Sequence, residues 1–286
     1  MRHSLKRTGI FFHQQTGNRL RDFPEAIYAV LAKDNVLFYD VLSDPFLASG
    51  SDMYIDYDLM HRVHSSGMIE QIASQDAFEG ILISGFSTVW SSVKIFSGEI
   101  DNAFVFTGFG DHHAGRETFG GGCYLNGAAM AVSNLRERFG VGRVAIIDTD
   151  AHHGDGTWDI FKDDSQTLYA CFCQQEHVDI NNNVNIKSPA MVNDLEYMDL
   201  FQQRFLPTIL EIKPEIIFWN WGYDGTQGDY GSMGLSTHLH VTLAAQLKSL
   251  AHKLTGSRLI VVLCGGSRRD YAAAIIPQIL EVLSEN

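Results

Sequence analysis

Three carboxylates and two imidazoles crowd the eight positions from Asp148 to Asp155, in the run Asp148-Thr149-Asp150-Ala151-His152-His153-Gly154-Asp155-Gly156-Thr157. Directly before them stands Arg143-Val-Ala-Ile-Ile147, an apolar run that reads as a buried strand. At the end of such a strand these groups would carry unpaired charge unless an ion took it up, and mixed carboxylate and imidazole donors suit zinc and its first-row neighbours. Asp150 and His152 lie two residues apart, so in extended chain they point the same way and can meet one ion. Alone, an Asp-x-His would read as a helix cap beside a core histidine, but Asp148, His153 and Asp155 alongside favour the metal. A catalytic zinc takes a third protein ligand and keeps a position for water. Asp224, in Trp219-Asn-Trp-Gly-Tyr-Asp224-Gly-Thr-Gln-Gly-Asp229, is the best source, although its glycine neighbours equally suit a turn-forming aspartate. His112 and His113, in Phe109-Gly-Asp-His-His-Ala-Gly115, are either a solvated loop pair or the acid and base that such a metal site needs. Asp148 and Asp155 remain as orienting partners for them. The chemistry indicated is metal-dependent hydrolysis.

These groups need a scaffold that delivers strand ends to one place. Short apolar runs alternate with segments of helical period. Strands are expected over Gly9–His13, Val36–Tyr39, Ala103–Phe106, Arg143–Asp148, Thr167–Phe172, Glu215–Trp219 and Arg258–Leu263. Helices are expected over Pro24–Lys33, Tyr57–Ala73, Thr88–Ser97, Leu125–Phe139, Leu195–Ile212, Thr237–Thr255 and Tyr271–Ser284. This alternation predicts an α/β fold, a mostly parallel sheet with helices on both faces. In such sheets ligands bind beyond the carboxyl ends of the strands, and every polar cluster named above falls there.

The chain of 286 residues shows no linker, repeat or low-complexity tract, so residues 1–286 are read as one domain. A net charge of −13 argues against generic nucleic acid binding, which needs Lys and Arg against phosphate. No run approaches a membrane span and the N-terminus lacks a signal-peptide core. The cysteines Cys123, Cys171, Cys173 and Cys264 have no paired zinc spacing; they suit reduced thiols in a cytoplasm, with Cys171 and Cys173 as strand core residues.

The sequence resembles the histone deacetylase family of the arginase/deacetylase fold, which includes acetylpolyamine amidohydrolases and acetoin-utilisation proteins. The marks are Val63-His64-Ser65, Asp111-His-His-Ala114, Gly122-Cys-Tyr-Leu-Asn126, the Asp148 to Thr157 run, Gly222-Tyr-Asp224, and Gly231 to Ser236 followed by Gly265-Gly266. The resemblance implies a three-layer α/β/α domain in which Asp150, His152 and Asp224 hold zinc. It further implies that Asp148 orients His112, that Asp155 orients His113, and that the histidines work the zinc-bound water. A structural potassium ion is implied near Asp148, Asp150, His152, Cys171 and Phe172, with Cys171 where a serine is usual. Arginases share the fold but use two metals; here Gly154 stands where their pattern has a bridging aspartate, so one metal is expected. The donor set would also accept iron or cobalt.

Two departures bear on activity. Family members carry a tyrosine directly after the Gly-Gly, where its hydroxyl stabilises the oxyanion, whereas this chain has Ser267. Losing one such donor costs ~2.7–4 kcal/mol of barrier. Either Ser267 holds a water there, or Arg268, Arg269 or Tyr271 replaces the donor, or turnover is poor. Second, the usual Gly-Phe-Cys of the lysine tunnel is Gly121-Gly122-Cys123, and Gln174 to Val184 does not resemble the aromatic, proline-rich loop of the other wall. The expected function is removal of an acyl group from a small or non-histone acylated amine. The alternatives are a metal-binding pseudo-deacetylase with a regulatory role, and an ester hydrolase.

Overall fold

Strands whose side chains are buried on both faces can pack only inside a sheet covered twice. In the computed structural model, which describes residues 6–12, 24–40 and 54–285, the central strands are of this kind. The strands are β1 (Thr8–Phe12), β2 (Val36–Asp40), β3 (Asn102–Val105), β4 (Val144–Asp148), β5 (Thr167–Cys173), β6 (Asn183–Lys187), β7 (Ile216–Trp221) and β8 (Leu259–Leu263). Every residue of β3, β4, β5, β7 and β8 is buried. They form one sheet in the order β2-β1-β3-β8-β7-β4-β5-β6, with every pairing parallel. Two apolar clusters cover its faces, one around Phe104, Trp219, Trp221 and Leu280, the other around Phe86, Trp90, Met130 and Phe218. The expected three-layer α/β/α arrangement is therefore present. His13, the last residue of the first expected strand, lies outside the described residues.

The helices are α1 (Pro24–Leu31), α2 (Tyr57–Val63), α3 (Ser66–Ala73), α4 (Phe78–Phe96), α5 (Gly127–Phe139), α6 (Asp155–Phe161), α7 (Asp194–Leu200), α8 (Leu206–Ile212), α9 (Thr237–Leu254) and α10 (Arg269–Ser284). Several departures from expectation have identifiable causes. Helix α4 begins at Phe78 rather than Thr88, because Gly80 through Val93 are all buried and a helix apolar on every side shows no amphipathic stripe. Gly85 and Gly127 bring α4 and α5 together; a Cβ on Gly127 would stand 2.7 Å from the Gly85 carbonyl. The expected helix from Tyr57 to Ala73 breaks at His64 and Ser65. There the Ser65 hydroxyl caps α3 by accepting from Met68 N–H at 3.3 Å, and the Ser65 N–H donates to Arg116 O at 2.8 Å.

The segment expected as one helix over Leu195–Ile212 is interrupted by a π-helical turn at Phe201–Phe205. Pro207 has no N–H to give, and the wider turn passes the Leu206 N–H to Phe201 O. Strand β6 was not expected. Its alternation of Asn183 and Asn185 with Val184 and Ile186 reads as loop, yet Asn183 and Asn185 donate to Trp158 O at 2.8 Å and Gln175 O at 3.0 Å, which gives their amide nitrogens partners off the ladder. Helix α6, also unexpected, starts inside the acidic run at Asp155.

Candidate metal centre and active site

The strands β3, β8, β7 and β4 are neighbours in the sheet, so the four loops that leave their carboxyl ends meet. Asp150 and His152 lie in the loop after β4, and Asp224 in the loop after β7. One donor atom from each of the three lies within 4.8 Å of the others. His152 Nδ1 is 3.1 Å from Asp150 Oδ1 and 2.8 Å from Asp224 Oδ2, the latter without the alignment of a hydrogen bond. Asp150 Oδ2 and Asp224 Oδ2 are buried and have no hydrogen-bond partner. Glycines wall them closely. A Cβ on Gly222 or Gly265 would stand 2.2 or 2.1 Å from Asp150 Oδ2, and one on Gly231 2.6 Å from Asp224 Oδ2. The residues present thus fit one small cation: orphaned carboxylate oxygens, an imidazole and a cradle that any side chain would fill.

Without a cation the charges disturb one another. Burial, reinforced by the Asp150 carboxylate, pushes Asp224 up to about 6. Burial also opposes ionisation of Asp150, but His112 and His152 outweigh it and hold that carboxyl well below the usual range. The hydrogen bond to Asp150 and the Asp224 carboxylate beside it raise His152 to about 10.

The paired histidines are placed by the start of α6. A Cβ on Gly156 would stand 2.3 Å from the Ala114 carbonyl carbon, so only glycine lets this helix lie against the 112–114 backbone. Thr157 N–H donates to His112 O at 2.9 Å. Asn126 caps α5 and donates to Ala114 O at 3.0 Å and Thr157 Oγ1 at 2.9 Å, closing the bracket. His112 Nδ1 pairs with Asp148 Oδ2 at 2.8 Å and His113 Nδ1 with Asp155 Oδ1 at 2.6 Å. The first pair is buried, whereas the second is partly open to solvent. The rings stand 4.2 Å apart, and His112 Nε2 is 3.7 Å from Asp150 Oδ1. Burial works against a charged His112, yet Asp148 and Asp150 prevail and raise it to about 10 in the metal-free site.

His112, His113, Asp150 and His152 line a cavity of about 170 Å³ whose walls also include Gly108, Gly110, Gly121, Gly122 and Gly265. Gly122 has φ +79° and no heavy atom within 4 Å of where its Cβ would be, so no aromatic wall stands there. Ser267 is not among the lining residues. It is exposed, and its hydroxyl donates to Asp229 Oδ1 at 2.5 Å. Two of the suggested replacements also face elsewhere: Arg268 pairs with Asp270 and lies over the Tyr271 ring, and Tyr271 donates to Gln227 O at 2.7 Å. The tyrosine that does line the cavity is Tyr230. Sequence reasoning passed over it because it belongs to a different strand end from the one where a tyrosine was sought. Tyr169 was missed as well; its hydroxyl donates to Asp148 Oδ2 at 2.8 Å and fixes the carboxylate that holds His112. His153 turns away from the three donors, stacking on His177 at 3.6 Å beside Cys171 and Cys173. Cys171 stands opposite Asp148 in the register of β5 against β4, where the resemblance puts a potassium ion.

A parallel eight-stranded sheet covered on both faces, with such a cluster beyond its carboxyl ends, is the three-layer α/β/α architecture of the arginase/deacetylase fold. The sequence profile of the histone deacetylase domain matches residues 61–283, and the chain belongs to that family. It is 30% identical over 203 residues to a probable deacetylase of Archaeoglobus fulgidus, covering 66% of this chain and 56% of the relative. It is 26% identical to the polyamine deacetylase HDAC10 of Mus musculus and 30% to the histone deacetylase HDA1 of Saccharomyces cerevisiae, over 66% of this chain in both cases. The matches span 31% and 29% of those relatives, so the chain corresponds to part of them. The crystal structure of the HDA15 HD domain superposes with a TM-score of 0.83 at 19% identity, covering 98% of this chain and 90% of the other. Among the described residues no helix is long and apolar enough to cross a membrane.

Proposed function

We propose that the protein hydrolyses the amide of a small acylated amine or amino acid derivative in the cytoplasm, with Asp150, His152 and Asp224 holding one zinc, iron or cobalt ion. The observation that carries this reading is the pair of buried, unpartnered oxygens, Asp150 Oδ2 and Asp224 Oδ2, inside their glycine cradle. Two such oxygens cost stability unless a cation meets them. When bound, the ion supplies a Lewis acid for the carbonyl and lowers the pKa of water to ~7. Gly154 supports a single ion, since it offers no carboxylate and a Cβ there would stand 2.2 Å from Tyr169 Oη.

The remaining steps belong to the protein's own side chains. Asp148 and Asp155 occupy the Nδ1 atoms of His112 and His113, so proton exchange in the cavity falls to the two Nε2 atoms. His113, the more exposed of the two, is the one to give a proton to the departing amine, whereas buried His112 steadies negative charge beside Asp150. A cavity walled by five glycines grips no long aliphatic chain, which favours a compact substrate over a histone tail.

The test is a panel of acylated amines, acetyl-lysine peptides, amides and esters, assayed after chelation and reloading with zinc, cobalt or iron. Turnover of small acylated amines, restored by metal and abolished in His113→Ala, is expected. Tight hydroxamate binding without turnover of any compound would instead indicate a binding module. Preference for esters would move the reaction class, and efficient turnover of acetyl-lysine peptides alone would overturn the small-substrate reading.

A further inference from the structure

Attack of water on an acyl carbon moves an electron pair onto the carbonyl oxygen, and a hydrogen-bond donor held at that oxygen lowers the barrier. His113 is committed to proton transfer and His112 to the charge beside Asp150, so a further donor falls to another wall of the cavity. Among the described residues that line it, Tyr230 carries the only hydroxyl group. Building on the proposed hydrolysis, we infer that Tyr230 is a catalytic residue whose phenolic O–H donates to the oxygen of the scissile carbonyl, and that Ser267 and Asp229 are the positioning residues that hold it there.

Three observations fix the hydroxyl near the reacting atoms. The Tyr230 ring stacks on His152 with centroids 5.4 Å apart and planes at 26°. Its Oη accepts from the Gly266 N–H at 3.2 Å. Gly266 follows Gly265, whose absent Cβ would stand 2.1 Å from Asp150 Oδ2, so the phenol is anchored one residue from the carboxylate cradle. No covalent change is asked of Tyr230: it keeps its proton throughout.

The loop bearing Tyr230 is tied to the end of β8 by a single carboxylate. Asp229 accepts from Ser267 N–H at 3.1 Å, from Ser267 Oγ–H at 2.5 Å, from Arg268 N–H at 3.1 Å and from Tyr230 N–H at 2.8 Å. This gives Ser267 a different task from touching substrate. A larger side chain at 267 would lose the serine hydroxyl that closes the clamp. Gly266 is held in turn, with φ +117° and an absent Cβ that would stand 2.3 Å from Tyr223 Cζ.

The deciding variant is Tyr230→Phe, which keeps the ring on His152 and removes only the hydroxyl. A substrate from the panel and a trifluoromethyl ketone analogue, whose hydrate mimics the tetrahedral state, serve as probes. One lost donor of this kind is worth roughly a hundred- to a thousandfold in kcat. We expect that loss with KM within about threefold, a parallel loss of ketone affinity by calorimetry, and unchanged metal content. Ser267→Ala should give a smaller fall in kcat through loosening of the clamp. If Tyr230→Phe keeps kcat and ketone affinity within about threefold of wild type, the inference is wrong. Wild-type protein that binds the ketone in a Tyr230-dependent way but turns over no amide or ester sinks the hydrolase reading and leaves the donor in place; wild type that neither binds nor turns over sinks both.

Discussion

Asp224→Asn should make the metal-free protein more stable while abolishing its stabilisation by metal. In the absence of a cation, Asp148, Asp150 and Asp224 face two imidazoles, His112 and His152, that are both raised to about 10 and therefore charged at neutral pH. Three negative groups against two positive ones leave one carboxylate in excess, and Asp224 is the one pushed up. A shift from 3.8 to about 6 corresponds to about 3 kcal/mol of lost stability once the pH is above the folded value. The sign follows from proton counts: between those two values the folded state holds the proton that the unfolded state has released, so stability falls as pH rises and levels off above about 6. Asparagine keeps an oxygen for the Ala151 N–H, which Asp224 Oδ1 accepts at 3.2 Å, and removes the buried negative charge that Asp150 destabilises. The expected gain is about 1–3 kcal/mol at pH 7, about half that at pH 5, and vanishing near pH 4. Unfolding monitored by circular dichroism in chelator reads it as a Tm increase of roughly 2–4 °C per kcal/mol. Adding zinc at about a thousand times its Kd should stabilise wild type by about 4.1 kcal/mol and the variant not at all, so the order of the two melting curves reverses. A metal-free variant less stable than wild type, or one that keeps the zinc shift, would refute the reasoning.

Two further changes probe the supports of the site. Asp148→Asn would keep its oxygen where Oδ1 accepts from the Asp150 N–H at 3.1 Å and so place its amide nitrogen where Oδ2 meets His112 Nδ1 and the Tyr169 hydroxyl, moving the ring proton to Nε2; kcat should fall by about 10²–10⁴ with little change in the melting curve. His240 is buried, accepts from Trp221 Nε1–H on Nδ1 at 3.1 Å and bonds Thr226 Oγ1 through Nε2 at 2.9 Å, and burial lowers it to about 4. Because its folded pKa lies below the unfolded 6.5, the stability it confers is complete above 6.5 and lost as pH falls through about 4. His240→Gln keeps both bonds without titrating, so its deficit in urea unfolding should narrow by about 2 kcal/mol between pH 7 and pH 5; a constant deficit would show that His240 does not titrate as described.

The centre of the sheet and the core of the site are both written locally in the chain. Val144 to Ile147 and Leu259 to Leu263 are buried on both faces, so their apolar runs are unbroken and unmistakable. Asp148, Asp150, His152 and Asp155 lie within one loop and its flanks, so their proximity follows from spacing alone. What escaped reading depends on contacts between distant segments. Helix α4 hides nearly its first three turns because Gly80 onward is buried on every side, and β6 looks like loop because Trp158 and Gln175 take up the amide nitrogens of its asparagines. Tyr230 meets Gly266 across 36 residues and Asp229 meets Ser267 across 38, pairings set by which strand ends are neighbours rather than by any pattern in the chain.

The position of β8 constrains how the molecule can be assembled. It is the last of the described strands, yet it lies between β3 and β7 in the middle of the sheet. Until residues 259–263 are in place, the earlier strands can form only two separate ribbons, β2-β1-β3 and β7-β4-β5-β6. The paired histidines follow one ribbon and the three donors the other. On a ribosome, where the amino end emerges first, both halves must therefore wait with exposed edges until a five-residue strand joins them. The sheet order thus couples assembly of the proposed metal site to completion of the sheet.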